Sequence, residues 1–336
     1  LWLHHRLLRA ALPRLMEASP VFPEAVSWEE AQAVLQEKGL SDGLPLVPPT
    51  EARLAAMLAG VAVPDKSYGQ MLPLFGDLTT AAVAYNCVLA GCEPGALAVV
   101  LTAAEACLEP SFNLLGVLTT TGTPAVVSIV HGPVAETLGM NAGTNLLGPG
   151  NRANATLGRA IALVTRNIGG ARAGIGDMAT MGQPGKYGFC FPEADDRTFP
   201  PLPVRRGIEE TISAVTVLGV SGTVEVLPTG GGETPETILD PMAAAMTAVR
   251  DVASAGRLRE PGEQFFLLPP ELARQIAKKG WDLTRIQSYL AASIGGLVRA
   301  PEDIHPIITG GAGVKMTLLP LWAGGSLSVT RAILDP

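Results

Sequence analysis

A glycine- and asparagine-rich loop carries the residues best suited to holding an anion. The stretch NLLGPGNRANATLGRAIALV begins at Asn145 and leads into a predicted helix. Glycines let backbone N–H groups converge on a ligand, and a helix start adds partial positive charge. The amides of Asn151 and Asn154 and the guanidinium groups of Arg152 and Arg159 would complete the cradle, so we expect all four to bind substrate. The alternative is a tight turn whose arginines pair with acidic neighbours.

This loop matches neither common nucleotide-binding pattern. The P-loop signature GxxxxGK[ST] is absent, and the dinucleotide fingerprint lacks its third glycine. We therefore expect a site for a small anionic or carbonyl-bearing molecule, with no organic cofactor.

A second polar segment, GDMATMGQPGKYGFCFPEADD, runs from residue 176 to 196. Long polar loops beside buried elements are usually functional or disordered, and the aromatic residues here argue against disorder. We expect Asp177 or Glu193 to act as a base and Lys186 to polarise the substrate or donate a proton. Asp195 and Asp196 are possible metal ligands, but no histidine accompanies them, and we expect no metal. The part of this segment from Lys186 to Glu193 and the anion-binding loop should face one another across a shared cavity.

Further candidate residues follow predicted strands. In α/β sheets the loops at the carboxyl ends of strands gather the ligand site. Thr119, Thr120 and Thr121 offer hydroxyl groups, Lys315 offers a charge, and His131 stands at a strand end before Gly-Pro. We expect these five to contact substrate, with His131 a possible general base. Ordinary turns, and a histidine that bonds only the backbone, are the alternatives.

The four cysteines are Cys87, Cys92, Cys107 and Cys190, and no pair has CxxC spacing. This usage predicts reduced thiols in a cytoplasmic protein. Cys92 lies at a helix junction, where the helix N-terminus would lower a thiol pKa, so Cys92 or Cys190 is the possible nucleophile. Cys87 and Cys107 are expected to be small buried hydrophobes.

The composition excludes several classes of protein. Of 336 residues, 47% are hydrophobic and 16% charged, with a net charge of −7. Such a chain can bury a large core, has no basic stripe for nucleic acid and is expected to form a homo-oligomer. Its most apolar stretch, residues 95–108, is too short to span a membrane and contains a glutamate. Charged and histidine side chains interrupt the leucine-rich N-terminus, which favours a loosely attached amphipathic helix over a signal peptide.

The pattern of elements predicts an α/β fold. A capping box at Ser27 and Glu30 begins a helix, and apolar helices follow Thr79 or Thr80 and Pro94. Six runs are typical of strands: VLTTT, AVVSIV, ISAVTVLGV, TVEVL, EQFFLL and HPIIT. Helices are predicted after Pro133 and over TPETILDPMAAAMTAVRDVASAG, ELARQIAKKG and LTRIQSYLAASIGG. We therefore expect mixed sheets covered by apolar helices.

The two halves of the chain have similar sequence patterns. Arg159 and Gly169 have the same separation as Arg285 and Gly295, and in both cases a strand, a proline and a helix come before. The first copy has a longer segment before its arginine, which includes the anion-binding loop. We interpret this as two pseudo-repeated α/β halves, over residues 46–205 and 206–336, after an N-terminal extension and first helix over residues 1–45. Chance similarity of two amphipathic helices is the alternative.

Several segments together resemble a known group. They are SDGLPLVPPTEARLAAML, AYNCVLAGCEPGALAVVLTAAEA, GPGNRANATLGRAIALV, GQPGKYGFCFPE and IITGGAG. They are similar to a poorly characterised bacterial family associated with the long form of the UGSC (seleno)proteins, over residues 40–333. The matching positions include Cys92 and the runs 148–159 and 186–193. The Gly-Ser-Cys redox motif of that group is missing here, so the resemblance implies which loops belong together but no reaction.

These observations lead to one function and two alternatives. We expect an enzyme that acts on a small anionic or carbonyl-bearing molecule by hydrolysis or elimination. A thiol-dependent redox protein that uses Cys92 or Cys190 is the second possibility. The high apolar content allows a third, a non-catalytic binding or assembly protein.

Overall fold

The computed structural model describes residues 19–254 and 261–334. The predicted N-terminal amphipathic helix falls on residues 1–18 and lies outside the described residues. The helices are α1 (Trp28–Glu37), α2 (Glu51–Met57), α3 (Thr80–Ala90), α4 (Leu97–Cys107), α5 (Leu114–Thr119), α6 (Pro133–Thr137), α7 (Arg152–Asn167), α8 (Leu202–Arg205), α9 (Pro235–Ser254), α10 (Pro270–Lys278) and α11 (Leu283–Ser293). The strands are β1 (Ser67–Met71), β2 (Gly76–Thr79), β3 (Ala125–His131), β4 (Cys190–Pro192), β5 (Ala214–Val220), β6 (Val224–Val226), β7 (Gln264–Leu268), β8 (Ile304–Ile308), β9 (Met316–Leu319) and β10 (Val329–Ala332).

Side-chain caps fix the starts of the helices that the sequence predicts. Ser27 accepts the N–H of Glu30 at the start of α1, and Thr79 accepts the N–H of Ala82 at the start of α3. Each cap satisfies one of the backbone donors that a helix leaves unpaired, which is worth about 1 kcal/mol. Both helices begin where the sequence predicts them.

The strands β3 to β10 form two mixed four-stranded sheets. The first has the order β10-β5-β3-β4, and the second has the order β6-β9-β7-β8. In the first sheet β3 is parallel to β4 and antiparallel to β5, and in the second β7 is parallel to β8 and antiparallel to β9. The strands β1 and β2 form a separate antiparallel pair.

The two sheets pack face to face, and helices cover their outer faces. One apolar cluster lies between them and joins Val127, Phe191 and Leu218 of the first sheet to Phe265 and Ile307 of the second. Alternate residues of each strand point the other way, so Val130 and Val215 pack with α3, α4 and α7, while Phe266 and Ile304 pack with α9, α10 and α11. The result is a four-layer helix–sheet–sheet–helix arrangement, which confirms the predicted α/β class.

Each sheet takes one edge strand from the stretch of chain that mainly forms the other sheet: β10 joins the first sheet and β6 joins the second. After β5 the chain crosses to the second sheet as β6, and after β9 it crosses back to the first sheet as β10. Two series of elements correspond in strand position and direction. The first is β3, α6, α7, β4, β5 and β6, and the second is β7, α10, α11, β8, β9 and β10. A duplicated unit with exchanged edge strands would give this pattern, but the duplication stays a prediction, as does the division at residue 205.

One predicted strand is wrong. The run VLTTT was expected to be extended because it is rich in β-branched residues, but Leu114–Thr119 forms helix α5. Asn113 caps this helix by accepting the N–H of Gly116, and the hydroxyl of Thr119 donates to the carbonyl of Leu115. Local capping and the burial of Leu114 and Val117 therefore outweigh the strand preference of the sequence.

Within residues 19–254 and 261–334, no single helix combines the length and apolar character that crossing a bilayer requires. The neighbouring helices Pro94–Cys107 and Pro110–Thr119 reach that threshold only when taken together, with a bend of 75° between them.

Candidate functional site

A histidine and several acidic side chains border a cavity at the carboxyl ends of β3 and β4. The cavity has a volume of about 650 Å³. Its wall is built by the end of β3, the start of α6, the segment after β4, helix α8 and the turn before β5. This is the edge of a parallel strand pair where α/β proteins commonly gather their ligands. We call it the acidic cavity.

The His131-Gly132-Pro133 sequence shapes the inner end of this cavity. Gly132 has φ 82°, and a Cβ there would lie 3.0 Å from the Cα of Ser213. Only glycine fits this turn without strain. Pro133 then opens α6, and the N–H of Val134 donates to the Ser213 hydroxyl at 2.9 Å. The turn therefore fixes the strand end that carries His131.

His131 and Glu193 form a buried pair that lines the acidic cavity. Nδ1 of His131 lies 2.7 Å from Oε2 of Glu193, and their side chains are 2% and 5% exposed. The N–H of Leu202, at the start of α8, donates to Oε2 of Glu193 at 3.1 Å. The guanidinium group of Arg205 lies 3.9 Å from Oε1 of Glu193. The structure thus brings together two of the residues that the sequence proposed as acid–base groups.

A chain of hydrogen bonds continues from His131 between the two sheets. Nε2 of His131 lies 2.8 Å from Oγ1 of Thr216, which lies 2.7 Å from Oγ1 of Thr330. Arg206 donates to Thr330 at 2.8 Å and to Oε1 of Glu263 at 2.9 Å. A guanidinium group only donates and a carboxylate only accepts. With a neutral His131, every donor in the chain from Arg206 to Glu193 therefore has an acceptor.

Burial shapes the protonation of the charged groups in this network. Burial lowers the pKa of Arg205 to about 10, although Glu193 opposes the shift. Burial also lowers the pKa of Arg206, and of His305 despite its contact with Glu263. For Glu263 burial raises the pKa, but the contact with His305 at 3.3 Å and the hydrogen bond from the N–H of Ser328 hold the pKa below its usual range.

Carboxylates dominate the lining of the acidic cavity. Asp196 pairs with Arg274 at 2.6 Å, and Arg197 pairs with Asp195 and Glu210. Among the described residues of the lining, Arg197 is the only lysine or arginine, whereas six are carboxylates: Glu136, Glu193, Asp195, Asp196, Glu209 and Glu210. The cavity is therefore negatively charged. Within the described residues, no group of three or more His, Cys, Asp and Glu side chains has the geometry of a metal site.

The two predicted anion-binding arginines lie elsewhere and already have acidic partners. Arg159 binds both carboxylate oxygens of Asp42 at 2.8 Å and donates to the carbonyl of Pro45. Arg152 is exposed; it pairs with Glu93 at 3.0 Å and donates to the carbonyl of Gly91. Arg152 lines a small cavity of about 110 Å³ that Glu93 also lines.

The asparagines of the same loop hold its fold. Asn151 caps α7 by accepting the N–H of Asn154 at 2.9 Å, and its amide donates to the carbonyl of Gly139. The side chain of Asn154 accepts the N–H of Asn141 and donates to the carbonyls of Asn141 and Leu146. The amides that were expected to hold an anion bond backbone groups instead.

This loop and the segment 186–193 meet in direct contact, not across the expected cavity. A Cβ on Gly158 would lie 2.6 Å from the backbone nitrogen of Phe189, and one on Gly188 would lie 2.6 Å from that of Arg159. The segments therefore pack backbone against backbone because both positions lack a side chain. This contact corrects the prediction that they face one another across a shared cavity.

The remaining polar candidates are distributed over the molecule. Lys186 and Asp177 form an ion pair with each other at 2.6 Å. Thr119 ends α5, and Thr120 and Thr121 follow it, with the Thr120 hydroxyl accepting the N–H of Gly122. Lys315 pairs with Glu225 on the surface of the second sheet at 2.9 Å. None of these residues lines the acidic cavity.

The cysteines are free and buried. Cys92 follows the end of α3 and donates to the carbonyl of Thr156 at 3.3 Å. Hydrogen bonding with Cys87 lowers the pKa of Cys92 against the effect of burial, and burial raises the pKa of Cys87 and Cys190. Cys190 sits on β4 opposite Ser128.

The sequence did not single out the rest of the polar network, namely Arg205, Arg206, Thr216, Glu263, His305, Ser328 and Thr330. A threonine within the apolar run AVTVLGV is one signal that a buried partner exists. The pairing of Thr216 with Thr330 depends on β10 crossing to the first sheet, which no local pattern indicates.

Searches against protein-family models, curated proteins and solved structures find no significant match to this chain. The resemblance to the UGSC-associated family therefore stays a prediction.

Proposed function

We propose that this chain is an enzyme that performs acid–base chemistry, hydrolysis or elimination, on a small molecule in the acidic cavity. The observation that carries the proposal is the buried His131–Glu193 pair at the inner wall of that cavity. Ionisable groups held together in a concave site at strand ends are typical of catalytic centres.

Glu193 is the group that would take the proton. Both ring nitrogens of His131 already have partners, Glu193 and Thr216, whereas a carboxylate can accept about four hydrogen bonds. The donors of His131 and Leu202 leave Glu193 further lone pairs for a substrate or a water. We therefore assign Glu193 as general base and His131 as the positioning residue that holds it.

The charge of the cavity favours a substrate that bears an amine. Six carboxylates and one arginine line the wall, so an anionic substrate would meet like charge, while an ammonium group would be attracted. The anionic substrate expected from the sequence depended on Arg152 and Arg159, which already pair with Glu93 and Asp42. A small carbonyl compound with a cationic amine fits the acidic cavity better.

The test uses amides of β-substituted amino acids, which release ammonia on hydrolysis and the β-substituent on elimination. Wild-type protein is compared with Glu193→Gln, and each amide with its N-acetylated, uncharged counterpart. We expect turnover of the free amines only. In Glu193→Gln the turnover rate should fall by a factor of about 10² to 10⁴, the usual contribution of a general base. Glu225→Gln, an exposed carboxylate outside the cavity, should keep the wild-type rate.

The proposal is rejected if the two variants and the wild type turn over the panel equally. It is also rejected if no member of the panel is turned over and none raises the melting temperature of the wild type. Equal rates for free and acetylated amides would overturn the assignment of a cationic substrate alone.

The other two functions have less support. A redox role requires an accessible thiol, and Cys92 and Cys190 are 8% and 5% exposed. An assembly role, like the proposed homo-oligomer, would use exposed apolar side chains, such as Leu74, Phe75 and Ile175 on adjoining loops. Light scattering, which measures the oligomeric state, tests the proposed homo-oligomer.

A further inference from the structure

A second cavity lies at the N-terminal end of β7, in the second sheet. It has a volume of about 240 Å³ and is bordered by the residues that lead into β7, the last turns of α9 and the segment between β9 and β10. We propose that this cavity binds a small apolar carboxylate. The site is separate from the acidic cavity and has the opposite charge preference.

Two guanidinium groups give the second cavity its charge preference. Arg250 and Arg299 line it from α9 and from the segment after α11. Arg250 contacts Asp251 on its own helix at 2.9 Å, and Arg299 forms no ion pair within the part of the chain that the structure describes. Arginine presents a fork of donors that matches a carboxylate.

Among the described residues the wall contains one carboxylate, Glu263, and its charge is already neutralised. Glu263 accepts from Arg206 at 2.9 Å, from the hydroxyl of Ser328 at 2.8 Å and from the N–H of Ser328. Its charge is therefore balanced from behind by a buried arginine, and the two guanidinium groups set the charge that a ligand meets.

The rest of the wall is largely apolar, and its shape depends on the position of the Trp322 ring. Leu297, Leu321 and Trp322 contribute to the lining. A Cβ on Gly324 would lie 2.1 Å from the Trp322 ring, so the indole occupies its place only because residue 324 is glycine. The cavity has about the volume of eight water molecules in the liquid, which suits a single-ring acid.

The experiment measures binding of 3-phenylpropionate by calorimetry, with 3-phenylpropylamine as the matched cation and acetate as the acid without a ring. We expect the ring-bearing acid to bind more tightly than both. Arg299→Gln and Arg250→Gln should each weaken binding by at least about tenfold, since each removes a charge-assisted hydrogen bond. Lys315→Gln, a surface cation outside the cavity, should bind like the wild type.

Equal binding of the amine and the acid would overturn the proposal, as would unchanged affinity in both arginine variants or no binding at millimolar concentration. Trp322→Leu provides an independent check, because it keeps both arginines and should still weaken the acid relative to acetate. Glu193→Gln should retain this binding, so failure here and failure of the proposed enzyme activity are distinguishable.

Discussion

Thr216 of β5 joins His131 to Thr330 of β10 through a single hydroxyl group, at 2.8 Å and 2.7 Å. Both ends of this chain have fixed roles, because Arg206 only donates and ionised Glu193 only accepts. With a neutral His131, the hydroxyl of Thr216 donates to Nε2 of His131, which leaves Nδ1–H for Glu193. One side chain inside the sheet sets the orientation of the pair at the cavity.

Replacement of Thr216 by valine tests this relationship. Valine keeps the shape but leaves Nε2 of His131 without a partner and the hydroxyl hydrogen of Thr330 without an acceptor, although Thr330 still accepts from Arg206. This loss should cost about 1–3 kcal/mol of unfolding free energy. Urea denaturation measures the loss. Thr317→Val is the control, because Thr317 is a half-buried strand residue whose side chain forms no hydrogen bond in the described chain. Equal losses in both variants would contradict the assigned network.

The sequence predicted the class of the fold and named Glu193 among the candidate bases, but it did not predict the assembly of the site. Capping residues such as Ser27 and Thr79 act within one turn, so their effect is readable from the chain. His131 and Glu193 were proposed separately, and the parallel pairing of β3 with β4 brings them together. Arg159 looked available because its partner, Asp42, is distant in sequence and belongs to a loop without a regular pattern.

Arg159 and Arg152 should behave differently when replaced by alanine. Arg159→Ala removes both hydrogen bonds from the guanidinium group to the largely buried carboxylate of Asp42 and leaves only the one from the N–H of Leu44, so we expect a loss of about 3 kcal/mol. Arg152→Ala breaks a pair whose side chains are 65% and 66% exposed, and should change stability by no more than about 0.5 kcal/mol. Thermal and urea unfolding measure both. A large loss with Arg152→Ala would show that the loop depends on this arginine for its fold.

The thiols should react slowly in the folded protein. Burial raises the pKa of Cys87 and Cys190, and Cys92, whose pKa is lowered by hydrogen bonding with Cys87, is only 8% exposed. Little thiolate is therefore accessible at neutral pH. We expect iodoacetamide to modify the native protein much more slowly than the unfolded protein. Mass spectrometry of timed samples identifies the residues. Rapid modification of Cys92 near neutral pH would contradict this and would support the redox alternative.

The buried His305 should make stability depend on pH below about 6.5, the pKa of an unperturbed histidine. It faces Glu263, Arg206 and Arg205, and burial among them lowers its pKa in the folded protein. A lowered folded pKa means that the unfolded chain binds the proton first. The stability is therefore complete above the unfolded pKa and falls as the pH drops toward the folded value, by up to about 1.4 kcal/mol per pH unit.

His305→Gln isolates this contribution. The variant cannot titrate, so its unfolding free energy should fall less steeply between about pH 6.5 and pH 5.5 than that of the wild type. Glu263, whose pKa is also lowered, loses its contribution only at lower pH, as the pH falls from the unfolded carboxyl value through its own folded value. Urea unfolding at a series of pH values separates the two. Identical slopes in the wild type and His305→Gln above pH 5.5 would mean that His305 is not the group that senses the proton.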